Sequence, residues 1–211
     1  LFASEIKGLL ASRMIEPALD PRAIDHVFAC LCASPRRSAF AGVAPLPPGH
    51  QLAVREGEPI ARTRFTELEF PVRGNERRAD TDLARAGLVD ELDRALAGAI
   101  DRRLAADVPV ATYLSGGVDS SLILALAARG GRDVTAFSVR LAGVGPDEAD
   151  LAAETAREIG AKHVALRIAA ADVIRLFPDV VRAAEVPILD HADAALLALA
   201  REVRERGVKA T

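Results

Sequence analysis

The sequence predicts an α/β fold, a parallel sheet with helices on both faces, preceded by a smaller N-terminal region of different character. Three observations predict it. From about residue 83 onward, short apolar runs rich in β-formers alternate with amphipathic stretches of helical length. That alternation builds parallel sheets that helices cover on both sides. One strand-like run passes into one helix-like run through the turn Ser115-Gly116-Gly117-Val118-Asp119-Ser120-Ser121. Residues 1 to 70 break the pattern with prolines at Pro17, Pro21, Pro35, Pro45, Pro47, Pro48 and Pro59.

In the N-terminal region the reading is a helix over Asp20 to Phe28 and an extended stretch at Gln51 to Val54, between turn signals. A polar connector with Pro71, Gly74 and Asn75 follows. This places a first domain at 1–70, a linker at 71–82 and a second domain at 83–211. Leu88, Leu92, Ala95, Leu96, Ala99 and Ile100 recur at three- and four-residue spacing and mark one helix face. Val108 to Leu114 reads as a buried strand, and Leu122 to Ala128 as the start of a helix. Strands follow at Val134 to Leu141 and Lys162 to Ile168, and helices at Asp147 to Ile159, Ala170 to Ala184 and Asp193 to Arg206. Beyond Gly207 a further strand is expected to begin. With no methionine at Leu1, the chain reads as a fragment cut at both ends.

The turn at Ser115 carries the chemistry. A helix start has backbone N–H groups without internal partners and a dipole that favours anions. Glycines let main chain approach a phosphate closely. The turn has neither the lysine of a Walker loop nor the three-glycine dinucleotide fingerprint. Asp119 would repel phosphate directly, so its expected role is to hold Mg²⁺.

Composition excludes more than it assigns. Half of the 211 residues are hydrophobic, enough for a core, yet aromatics are 4% and tryptophan is absent, so alanine, valine and leucine must pack it. A net charge of -3 without a basic block argues against nucleic acid or an acidic membrane as main partner. No apolar run approaches a membrane span and no signal peptide opens the chain, so the cytoplasm is the expected compartment. Cys30 and Cys32 are spaced for neither a disulfide framework nor a zinc site, and are read as semi-buried structural thiols.

The pattern S-G-G-x-D-S-S resembles the PP-loop of the ATP pyrophosphatases. Phe2 to Leu10 resembles the end of the glutaminase domain of glutamine-hydrolysing asparagine synthetases, and Leu46-Pro47-Pro48-Gly49-His50 that family's L-P-P-G-H segment. Arg103 to Val110 leading into Leu114-Ser115-Gly116-Gly117 resembles its R-L-x-x-D-V-P-V-x-x-x-L-S-G-G block. Phe137-Ser138-Val139 resembles its second strand. Asp147-Glu148, followed further on by Ala156, Gly160 and His163 at the spacing A-x-x-x-G-x-x-H, resembles the family's acidic pair and the helix and strand start after it.

The resemblance implies the C-terminal part of an N-terminal-nucleophile glutaminase domain, then the first part of an adenine nucleotide alpha-hydrolase-like synthetase domain. It implies a ligase using ATP, Mg²⁺, glutamine and aspartate or another carboxylate, and is compatible with a homodimer. Leu114 and Val139 would contact adenosine, and Ser115, Gly116, Gly117, Val118, Asp119, Ser120 and Ser121 would hold pyrophosphate, with Asp119 at the metal. Plainer readings stand beside these: Val139 as a core residue, Asp147 and Glu148 as a helix start, and His50 and His163 as structural; Asp190 and His191, after Pro187, could face the nucleotide site but are assigned no role. The glutaminase nucleophile and the later L-S-G-x-G-x-D-E motif are not in this stretch, so the fragment alone is expected to be inactive. Glu185-Val186-Pro187 stands where many members have D-E-P, which leaves the acceptor open. A β-lactam-synthetase or lasso-cyclase type of adenylating enzyme, and a non-catalytic relative, are the alternatives.

Overall fold

The computed structural model describes residues 1–142, 148–190, 192–209 and 211. They form two compact units, one of Leu1–Glu76 with Pro178–Asp190, the other of Arg77–Phe177 with His191–Thr211.

The first unit opens with α1 (Ile6–Ala11) and α2 (Pro21–Cys30). Asp20 starts α2 by accepting from the N–H groups of Arg22 and Ala23, with Pro21 in the first helical position, where its missing N–H costs nothing. The Arg37 guanidinium, 2.9 Å away, holds the Asp20 carboxyl below the usual carboxylate range. Strands β1 (His50–Ala53) and β2 (Ala61–Arg64) pair antiparallel, with His50 opposite Arg64. The sequence reading missed α1 and β2. Ala61-Arg62-Thr63-Arg64 is fully exposed and so carries no apolar alternation to read.

The second unit is the α/β part. Its elements are α3 (Asp82–Leu104), β3 (Ala111–Tyr113), α4 (Val118–Ala128), β4 (Thr135–Leu141), α5 (Glu148–Ile159), β5 (Lys162–Ile168), the first part of α6 (Ala170–Ala184), and α7 (Ala192–Glu205). The sheet order is β3-β4-β5, all parallel, with Tyr113 opposite Phe137 and Phe137 opposite Val164. Ala136 and Phe137 are adjacent on the central strand and point to opposite faces, as strand geometry requires. On one face Ala136 packs with Leu114, Leu124, Ala127, Ala152 and Ala156, drawn from the loop, α4 and α5. On the other, Phe137 and Ala111 pack with Leu199 and Val203 of α7. Helices thus cover both faces, and alanines let the layers approach closely.

Two helix ends close on glycine. Ala161 N–H donates to Ala156 and Gly160 N–H to Arg157; Val208 repeats the bond to Val203 and Gly207 that to Arg204. Both glycines take positive φ, 79° and 81°. Val208 is therefore spent on a helix cap and on packing beside Phe137, and neither it nor Lys209 is in a strand.

The α3 face differs from its periodicity. Ile100 and Leu104 reach the core, but Leu92 is 57% exposed, and Ala95 and Ala99 are exposed too. Leu88 and Leu96 are half-buried, and the packing against the core cluster comes from the last turns, at Ile100 and Leu104.

Candidate nucleotide site

The Ser115 turn leaves the sheet where its position demands a tight reversal. Leu114 N–H still donates to Phe137 O at 2.8 Å, which extends the ladder by one residue. Gly116 then takes φ +76°, a conformation that L side chains rarely adopt. A Cβ there would lie 3.1 Å from the Glu148 carbonyl oxygen and 3.2 Å from Leu151 Cβ. The loop therefore rests directly on the first turns of α5, and glycine is required twice over.

Gly117 is extended, with φ -77° and ψ 159°, and caps α4 without a side chain. Serines do the local bonding. Ser120 Oγ accepts from Ser115 N–H at 3.2 Å, lies 3.1 Å from Ser115 Oγ and reaches Gly117 O at 3.1 Å. Ser121 Oγ donates to Gly117 O at 2.8 Å. Val118, Asp119 and Ser120 occupy the first turn of α4, whose N–H groups have no partner within the helix. Ser115, Gly117, Val118 and Asp119 are exposed, while Gly116, Ser120 and Ser121 are half-buried. The result is an open cradle of N–H groups and hydroxyls at the carboxyl end of β3, where open α/β sheets hold ligands.

The other expected contacts are less alike. The side chain of Leu114 is 2% exposed and belongs to the core under α4 and α5. Val139 is half-buried against the opposite, α7-facing cluster. Val139 does stand beyond Phe137, the residue facing the end of β3, by about 7 Å of strand. Among the described residues no group of three or more His, Cys, Asp or Glu could hold a metal ion.

Ser138 is buried, and its Oγ lies 2.8 Å from His163 Nε2. Burial, and then the charge of Arg140, hold the His163 imidazole below its ordinary value. Arg140 pairs with Asp150 in the first turn of α5. Sequence reasoning recognised Ser138 and His163 separately and missed that they meet. Glu148 stands first in α5, as the plain helix-start reading has it. His50 donates from Nδ1 to Pro48 O within its turn. Asp147 and His191 lie outside the described residues. Cys30 and Cys32 are free and exposed, not semi-buried, because they sit at and just past the end of α2.

No helix among the described residues is long and apolar enough to cross a membrane. The family model described as asparagine synthase matches residues 91–211, and that described as glutamine amidotransferase domain matches residues 1–66. A Mycobacterium tuberculosis protein named "Putative asparagine synthetase (glutamine-hydrolyzing)" is 35% identical over 126 residues, 60% of this chain and 19% of that protein. Asparagine synthetase (glutamine-hydrolyzing) 1 of Bacillus subtilis is 28% identical over 205 residues, 97% of this chain and 31% of its own. The chain thus spans between a fifth and a third of the length of these relatives. A solved structure of glutamine-dependent NAD+ synthetase from Acinetobacter baumannii, in complex with ADP, is similar over 64% of this chain and 26% of that one, at 23% identity and a TM-score of 0.41. With more than half of its residues matched by the one family model, the chain belongs to the asparagine synthase family.

Proposed function

We propose that this chain is part of a cytoplasmic, ATP-dependent, AMP-forming amide ligase that makes asparagine, with glutamine as nitrogen donor. In this reading the side-chain carboxylate of aspartate attacks the α-phosphorus of ATP, and pyrophosphate leaves. Ammonia from glutamine then attacks the acyl carbon of the aspartyl adenylate and displaces AMP. Residues 1–70 would belong to the glutaminase domain and 83–211 to the synthetase domain, joined by 71–82.

One observation carries the proposal: a glycine-shaped loop opens a helix at the carboxyl end of a parallel strand, in a chain of this family. A polyanionic leaving group departs easily where fixed N–H dipoles already await it. Ser115 to Ser121 hold the pyrophosphate in this assignment. Leu114 has its side chain in the core and its N–H on Phe137, which leaves its carbonyl oxygen for the adenosine. Val139 would pack beside it. Asp119 suits Mg²⁺ because that ion usually takes one or two carboxylates and completes its shell with phosphate oxygens and water. Mg²⁺ would supply charge neutralisation of the departing phosphates.

The test is aspartate-dependent exchange of labelled pyrophosphate into ATP, run on the protein of the full reading frame that contains this chain. Exchange with aspartate, lost in Gly116→Ala, is the expected result. Exchange driven by a different carboxylate would move the assignment to another adenylating enzyme, and none with any carboxylate would overturn it.

A further inference from the structure

The motif Phe137-Ser138-Val139 and the later His163 stand 25 residues apart as Ser138 to His163, and they meet in space. Neither is used by the phosphate loop. The register explains why they are needed. β3 ends at Tyr113, opposite Phe137, and its ladder closes with the Leu114 N–H bond to Phe137 O, so beyond Ser138 β4 has a strand partner on the β5 side alone. The carboxyl end of β4 has thus lost half its ladder where the ligand loop begins. Ser138 is 3% exposed, and a hydroxyl so buried requires a hydrogen-bond partner. His163 provides it from the diagonal cross-strand position, since it pairs with Ala136 and Ser138 pairs with Ala165.

We infer that His163 is a positioning residue for the nucleotide, holding Ser138 and therefore the backbone of Val139 at the height of the phosphate loop. This rests on the proposed assignment of Val139 to the adenosine and of Ser115–Ser121 to the phosphates. The bond serves in either tautomer of a neutral ring, because hydroxyl and imidazole can exchange donor and acceptor roles. His163 touches neither phosphate nor adenosine in this arrangement, and its effect passes through Ser138.

The experiment measures Kd for ATP and, separately, for pyrophosphate on the full-frame protein and on Ser138→Ala, His163→Phe, the double variant and His163→Gln. Gln places a hydrogen-bonding group where Nε2 stands. Ser138→Ala and His163→Phe should each weaken ATP on the order of fivefold, about one net hydrogen bond. The double variant should be no worse than either single, and His163→Gln should stay within about twofold of the parent. Pyrophosphate affinity should not move in any of them, since the loop alone holds it. Parallel weakening of ATP and pyrophosphate, with a lowered melting temperature, would make the pair merely structural and overturn the inference. Additive effects of the two single changes would overturn it as well. Failure of the parent to bind either ligand would overturn the nucleotide-site assignment itself and the inference with it.

Discussion

Glu185 and Lys7 are 178 residues apart in the chain, yet the Glu185 carboxylate accepts the Lys7 backbone N–H and lies 3.1 Å from its Nζ. The second carboxylate oxygen accepts the N–H of Ile6 at 2.7 Å, so one side chain caps the start of α1. Glu185 reaches it from a left-handed backbone, φ 56°, just past the end of α6. All of this lies within the first unit.

The clasp should be acid-labile. Burial raises the Glu185 pKa, but the N–H bonds from Lys7 and Ile6 and the Lys7 charge outweigh it, and the net shift is downward from 4.5. A carboxyl with a lowered folded pKa binds fewer protons folded than unfolded. Its stabilisation is complete above the ordinary value and is lost as pH falls through the folded one. Amide resonances of Ile6 and Lys7 should titrate with a midpoint below 4.5. In Glu185→Gln that titration should vanish, and hydrogen exchange at both amides should quicken by about 2 kcal/mol of local opening free energy.

Gly116 and Gly117 should respond very unequally to alanine. At Gly116 the new Cβ meets a backbone oxygen at 3.1 Å, and the φ of +76° disfavours any L side chain. At Gly117 the backbone is ordinary, and a Cβ would meet only Ser115 Oγ at 3.4 Å. Gly116→Ala is expected to cost on the order of 2–3 kcal/mol and to abolish pyrophosphate binding, whereas Gly117→Ala should cost below about 1 kcal/mol. Urea melts paired with pyrophosphate titration check both.

His163 gives stability a second slope, on the acid side like that of Glu185 but nearer neutrality. Its folded pKa lies below 6.5 through burial and Arg140, so the unfolded chain takes up the proton first. Stability from this group is complete above 6.5 and declines as pH falls toward the folded value. Melting temperatures of the parent should drop faster than those of His163→Gln between about pH 7 and pH 5. Equal slopes would show that His163 does not set this dependence.

What the sequence shows of this molecule is what repeats locally. Lys162–Ile168 and Ala170–Ala184 are legible to the residue: the strand follows the Gly160 stop, and the helix follows the strand at once and runs up to the break at Pro187. The Ser115–Ser121 turn is legible as a strand-to-helix turn because strand, glycines and helix are contiguous. Leu92 shows the limit: helical spacing marks an apolar face without saying whether anything covers it. The Glu185 clasp joins distant positions by one side chain and the Ser138–His163 bond by two. A period along the chain carries no trace of such a contact.

Asp119 is where the two readings of the loop predict different signs. As a plain acid in the first turn of α4, it only complements the helix dipole. Its carboxylate then repels phosphate, and Asp119→Asn should tighten pyrophosphate binding whether or not Mg²⁺ is present. As the Mg²⁺ holder it should behave differently. Without the metal, Asp119→Asn would again tighten pyrophosphate, because the repulsion is gone. With Mg²⁺ the same change should weaken it on the order of tenfold, since the ion loses its protein carboxylate. The crossing of these two curves is the expected outcome, and titration with and without chelator measures it. Asp119 is exposed and makes no bond that holds the loop together, so the fold should be unchanged and the comparison stays a comparison of binding.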